Sequence, residues 1–159
     1  MQNPTNFPYI RHEPSEADNS SEYTGGSVVA FTAAATLLVG DVVFLSAAST
    51  VDKSTTAANY LAFMGVVVGG DSTFGQCCGN DNDVGITAAL VNKKVLVQTT
   101  GVAWVKAAAA VAVATPLEVA TTAGQVDDVA TPTAGEQVGT AITAATNAGD
   151  KILMLIDHR

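Results

Sequence analysis

From Gly26 onward the chain alternates short runs of Val, Thr, Leu and Phe with clusters of Gly, Asp, Asn and Thr-Ala, a pattern of short strands separated by turns. The runs predict strands at Val28–Thr32, Asp41–Leu45, Thr50–Lys53, Phe63–Val68, Lys94–Thr99, Ala103–Lys106, Leu117–Ala120, Gln125–Val129, Gln137–Ile142 and Lys151–Ile156. Their even spacing predicts an all-β domain, a small barrel or sandwich with little helix. Alanine is the best helix former, so Ala33–Ala35, Ala57–Ala58 and Ala107–Ala110 compete for helix. Each is short and flanked by Thr or Val, which limits helix to one or two turns, most readily around Ala57–Ala62.

Residues 1–26 follow no such pattern. They hold three of the five prolines (Pro4, Pro8, Pro14) and four acids (Glu13, Glu16, Asp18, Glu22). Proline fixes φ and removes a donor, so the stretch joins neither a helix interior nor a central strand. It reads as an extended arm whose apolar members Phe7, Tyr9, Ile10 and Tyr23 are anchors for a partner surface, or else as a solvated tail. The β-rich domain is then residues 27–159.

Within that domain one segment echoes another. Val39–Leu45, Thr50–Asp52 and Met64–Val68 match Ala114–Ala120, Gln125–Asp127 and Val138–Ile142. Each set reads as a turn into a strand, a hairpin partner, and a third strand opened by glycine, so two similar units are expected. Between them lies residues 69–84, rich in Gly, Asp and Asn, read as an inserted surface loop.

Composition changes the picture in one respect. Of 159 residues 27 are Ala and 21 Val, against 9 Leu, 5 Ile and 6% aromatics. Buried apolar area stabilises by roughly 25 cal/mol per Å², so small side chains give a thin core and favour stabilisation by assembly. The net charge is −8, and Arg11, Lys53, Lys93, Lys94, Lys106, Lys151 and Arg159 are scattered. No basic patch is available to neutralise phosphates, which argues against nucleic acid as a partner. The start of the chain lacks a basic region leading into an apolar run, and no apolar run approaches the roughly 20 residues that span a bilayer. Synthesis in the cytoplasm without membrane insertion is the expectation.

Catalytic chemistry has few footholds. His12 lies in the arm and His158 beside the end of the sequence, and no Gly-x-Ser-x-Gly elbow accompanies them. Asp127/Asp128 and Asp81/Asp83 are paired acids, but adjacent strand residues point to opposite faces and acids in a Gly/Asn loop are solvated. Asp81-Asn82-Asp83 opens like a calcium loop without its central glycine or distant glutamate. Cys77 and Cys78 are adjacent, read as free thiols; a redox or soft-metal role is the alternative, and two sulfurs cannot complete a zinc shell. Trp104, in Val102–Lys106, reads as a core or interface anchor, with a ligand-stacking platform as the alternative. No enzyme activity, cofactor or metal is expected.

Several elements together resemble the capsid decoration (cement, head-stabilising) proteins of tailed phages. They are Ala30–Thr32, Val39–Val43, Met64–Val68, the block from Val95 through Leu117, Val138–Ile142 and Gly149–Leu153. The resemblance spans roughly residues 27–157. It implies a small β-domain, homotrimeric, bound to the major capsid protein on the outside of a virion and stabilising the shell. The 69–84 segment and the acidic arm depart from compact members of that family. Two other readings stay open: another virion β-module such as a tail-tube, fibre or baseplate part, and a small β-barrel enzyme or ligand-binding domain.

Overall fold

A computed structural model describes residues 26–54, 62–73, 84–131 and 136–157. The first half of the domain is a closed five-stranded barrel. Its strands are β1 (Val28–Ala33), β3 (Val42–Ala47), β4 (Thr50–Lys53), β5 (Phe63–Gly70) and β7 (Lys94–Gln98), in spatial order β1-β4-β3-β5-β7. Neighbours run antiparallel except β1 and β4, whose parallel pairing Thr32–Thr50 and Ala33–Val51 meets the ring's remaining edges. A minor ribbon joins β2 (Leu37–Leu38) to β6 (Thr87–Ala89), and a single 3-10 turn, Asp71–Thr73, follows β5.

The second half repeats this topology. Strands β8 (Gly101–Lys106), β9 (Pro116–Val119), β10 (Val126–Asp128), β11 (Gly139–Ala141) and β12 (Lys151–Ile156) lie in the order β10-β9-β11-β12-β8. Replacing β1, β3, β4, β5 and β7 by β8, β9, β10, β11 and β12 turns one order into the other. The residue-level match is close. Val43 pairs with Gly65 and Leu117 with Gly139, 22 positions on in each case. Gly40 N–H donates to Val67 O and Ala114 N–H to Ala141 O, both at 2.8 Å. Both donors have positive φ, +87° and +64°. The parallel contact recurs too: Ala34 N–H donates to Val51 O at 2.9 Å, and Ala108 N–H to Val126 O at 2.8 Å. In the second half that contact is one bridge, Ala107–Val126, so the sheet approaches closure without a second full parallel pair.

The repeat read in the sequence is therefore present in space, with one correction: Asp41 matches Thr115 rather than Pro116. The strands expected from the pattern all form, within about two residues at each end, as the fraying of strand ends leads one to expect. Two were not foreseen, β2 and β6. At two and three residues they are too short to show alternation. Ala33 ends β1 and Ala107 makes the bridge, so neither alanine run begins a helix; backbone pairing overrides propensity there. Strand β5 continues through Gly70, so the expected 69–84 loop begins later. Most of that loop, Ala57–Leu61, Cys77, Cys78, Asp81, Asp83, His12, His158 and the arm lie outside the described residues.

Two cores follow from the duplication. Inside the barrel Ala33, Leu37, Val39, Val43, Val51, Val67, Ala88, Ala89, Val95 and Val97 pack together. The second core joins Ala103, Val105, Leu117, Val119, Ile152 and Met154 to Val42, Phe63 and Val66. Those last three come from the first half. Alternation along β3 and β5 sends Val43 and Val67 into the barrel and Val42 and Val66 out of it, onto the second half. A strand buried on both faces needs an unbroken apolar run, and Gly65-Val66-Val67-Val68-Gly69 in β5 supplies it.

Gly65 and Gly139 open the third strand of each unit against the next strand. A Cβ on Gly65, at φ +147°, would collide with Gln98 O, and one on Gly139 would lie 2.6 Å from Leu155 O and 2.5 Å from Met154 Cγ. Gly149 has a left-handed φ, +88°, but open space where its Cβ would be. Gly65→Ala and Gly139→Ala should each lower unfolding free energy by about 2–3 kcal/mol through overpacking, whereas Gly149→Ala should cost about 1 kcal/mol for backbone strain alone. Urea unfolding of the three variants measures the difference; equal losses would contradict the close-approach explanation.

Candidate interaction surface

At the seam between the halves a buried carboxylate pairs with a partly exposed lysine. Asp41, 4% exposed, accepts from Leu38 N–H at 2.8 Å and pairs with Lys53 Nζ at 3.1 Å. Gly124, from the second half, closes over it: Gly124 N–H donates to Ser54 O at 2.7 Å, and Val42 N–H donates to Gly124 O at 3.0 Å. A Cβ on Gly124 would sit 2.7 Å from Asp41 Oδ1, so glycine is required there. Burial raises the Asp41 pKa above the usual carboxylate value; the Leu38 hydrogen bond and the Lys53 charge oppose that rise without cancelling it. The backbone bonds of Gly124 cross the seam directly over this acid. Sequence reasoning passed over it, reading Val39-Gly40-Asp41 only as a turn into a strand.

Other acids face outward. Glu118 stands directly across from Asp127. Burial, then the charges of Glu136 and Asp127, push its pKa up. Asp150 accepts from the backbone N–H groups of Thr146 (2.9 Å) and Asn147 (2.8 Å), which hold its pKa down and fix the turn into β12. Among the described residues no group of three or more His, Cys, Asp or Glu is placed to hold a metal ion, and no helix is long and apolar enough to cross a membrane.

The remaining feature is apolar surface on equivalent strand pairs of the two halves. On β8–β12 Trp104 stands opposite Leu153, and Val102 opposite Leu155, which is 42% exposed. Trp104 is half-buried, and its indole Nε1 is shielded from solvent with no hydrogen-bond partner among the described residues. On β1–β7 the same positions carry Ala30 opposite Leu96 and Val28 opposite Gln98. Here lies a groove of about 370 Å³ lined by Ala30, Leu96, Gly70, Asp71 and Lys94. Its end is shaped by the turn after β5: Asp71 Oδ2 accepts from Lys94 N–H at 3.1 Å, and Thr73 Oγ1 accepts from Gly70 N–H at 2.7 Å.

The arm's point of exit is fixed. Gly26 lies over Thr100 O, where a side chain has no room. Ser27 N–H donates to Thr100 Oγ1 at 3.0 Å, and Thr99 N–H to Ser27 O at 2.8 Å. Beneath them the buried Gln98 donates through Nε2 to Thr100 O (3.0 Å) and Val102 O (2.9 Å), tying the end of the first half to the start of the second. The chain thus emerges at the junction of the halves. The anchors Phe7, Tyr9, Ile10 and Tyr23 lie outside the described residues. Of the interface anchors named from the sequence, Trp104 alone lies among the described residues. The groove went unread because no residue of its lining is unusual for its strand.

These strands define a tandem β-domain whose fold is shared with a chain of a phage capsid. No protein-family model and no curated protein matches the sequence. A chain from the capsid of Myoviridae phage XM1 superposes with a TM-score of 0.54 and 18% identity, covering 84% of this chain and 84% of that one. The N base of the head fibre gp8.5 of bacteriophage phi29 gives a TM-score of 0.49 and 11% identity, covering 83% of this chain and 94% of that one. The all-β fold implied by the resemblance to decoration proteins is thus met in a capsid-derived chain.

Two consequences are measurable. A carboxyl whose folded pKa is raised contributes stability that is full below its unfolded value, about 4, and is lost as pH rises through the folded one. Asp41→Asn keeps an acceptor for Leu38 N–H and removes the titration. Its unfolding free energy should therefore lack a decline that the natural protein shows as pH rises from about 4; parallel curves from pH-dependent urea unfolding would contradict it. Trp104→Phe removes the shielded, unpaired indole N–H while keeping a ring. Its unfolding free energy should stay within about 1 kcal/mol of the natural protein, because a buried donor without a partner adds nothing to stability; a larger loss would mean that the indole N–H is hydrogen-bonded.

Proposed function

We propose that this chain is a non-enzymatic structural protein of a phage virion, a decoration or cement protein that binds the outer surface of the capsid and stabilises the shell. The observation that carries this reading is the shared fold: the tandem β-domain superposes over most of its length on a chain from a phage capsid. Three features of this chain support it. The seven cations are scattered through an acidic chain, which suits a protein exposed on a particle rather than one lining a DNA-filled interior. The Ala/Val core offers little apolar area per residue, and stability gained by assembly offsets that. The arm leaves the domain from a fixed point and carries aromatic anchors, a layout suited to an extended segment lying over a neighbour.

The partners in this reading are the major capsid protein and other copies of the chain, three favoured, since a closed ring buries surface that a small subunit leaves exposed. Trp104 is the domain's own anchor in such an interface.

Electron microscopy of particles carrying and lacking the protein tests the location. Density on the outer shell supports the reading, while density at the tail or inside the head contradicts it. Deleting residues 1–26 should leave the thermal midpoint of the domain nearly unchanged and strongly reduce occupancy on particles. Phe7→Ala with Tyr9→Ala should weaken attachment about 1,000-fold, because each buried aromatic anchor contributes about 2 kcal/mol. Full occupancy by the truncated protein would show the arm to be a solvated tail.

A further inference from the structure

We propose that the groove beside Ala30 and Leu96 is the receptor for the Phe7–Ile10 segment of a second copy's arm, so that copies are linked by exchanged arms. This deepens the proposed self-association and rests on it.

The duplication shows what kind of group fits the groove. Position for position, Ala30–Leu96 in the first half is the strand pair Trp104–Leu153 in the second. In the second half an indole occupies this face, and Leu153 beside it is half-buried. In the first half alanine stands in its place, Leu96 is exposed, and a groove of about 370 Å³ remains. Pockets that bind ring-bearing ligands begin at about 300 Å³. The floor is apolar, from Ala30, Gly70 and Leu96, and the rim carries Lys94 and Asp71. A lysine ammonium suits the face of an aromatic ring, and a carboxylate suits a phenol hydroxyl. Phe7-Pro8-Tyr9-Ile10 offers two rings, one with a hydroxyl, as the densest apolar cluster of the arm.

Chain length argues for exchange between copies. The arm's exit at Gly26 is four residues from Ala30, about 13 Å along a strand. Fifteen residues separate Ile10 from Gly26, and Pro14 stiffens them; extended, they span about 50 Å. A domain of this size has a radius of gyration of about 14 Å and a width of about 36 Å. A fully extended arm is long enough to leave its own domain and enter the groove of a neighbouring copy.

The test uses two full-length variants. Ala30→Trp copies the second half's own solution, filling the groove and leaving the arm intact. Phe7→Ala with Tyr9→Ala removes the anchors and leaves the groove intact. Each should stay folded by circular dichroism and, in sedimentation, lose self-association by at least about 30-fold, the loss of one anchor contact. Mixed in equal amounts, they should associate again into a complex containing both, seen by native mass spectrometry, because the arm of the first still fits the groove of the second. Leu96→Glu, at an exposed position, replaces Ala30→Trp if the latter unfolds. Natural-strength assembly by the groove variants, an unassociated natural chain, or a mixture that fails to associate each overturns the proposal; the last is the outcome for an arm bound in its own copy's groove. Particle occupancy separates this inference from the functional reading. Complementation without capsid binding leaves the exchanged arm standing and removes the decoration role, and capsid binding without complementation does the reverse.

Discussion

A glycine pressed against the backbone of the next strand is the constraint on which both halves of the domain depend. Each three-stranded unit places its first strand between a hairpin partner and a returning strand, and the returning strand must also pair with a fourth. At Gly65 and Gly139 that double pairing brings the fourth strand's carbonyls, Gln98 O and Leu155 O, so close that no side chain fits. In the first half this close approach accompanies a closed barrel of five short strands around side chains as small as Ala and Val. Larger core residues would need a wider ring.

The second constraint is asymmetry between the repeats. Val42 and Val66 point out of the first barrel and are fully buried because the second half receives them. Their counterparts Pro116 and Thr140 are only partly covered. Beside them Glu118 faces Asp127, with Glu136 adding its charge, and ionising Glu118 is correspondingly unfavourable. Like charges on that face disfavour burying it against another apolar surface. At the seam the Asp41–Lys53 pair and the close-fitting Gly124 set the register of the halves. Such a pair adds specificity more than stability, since its desolvation offsets most of its attraction.

Duplication followed by divergence leaves different surfaces on a common frame. The β8–β12 face carries an indole, the β1–β7 face a groove, and the linkage through Gln98 and Thr100 places the arm's exit beside both. On the proposed reading, a groove beside the point where the arm leaves suits a protein held on a surface, where geometry and multivalency matter.

The strands were legible because a half-buried strand must alternate and a doubly buried one must be unbroken, and both rules act within a few residues. The repeat was legible for the same reason, since equal spacing of turn, hairpin and glycine-led strand survives when side chains diverge. Composition and charge likewise follow from the sequence by itself, as does the unusual character of the arm. Tertiary structure alone decided the rest. That β1 pairs in parallel with β4, that β2 and β6 exist, that Asp41 is buried against Lys53 and Gly124, and that Ala30 answers to Trp104 are all facts about residues far apart in the chain. An aspartate in a turn looks alike whether water or another half of the molecule covers it, and an alanine becomes the floor of a groove only when the fold shows which larger residue its counterpart is. Local pattern encodes which groups must leave water; the closure of the sheets determines which of them meet.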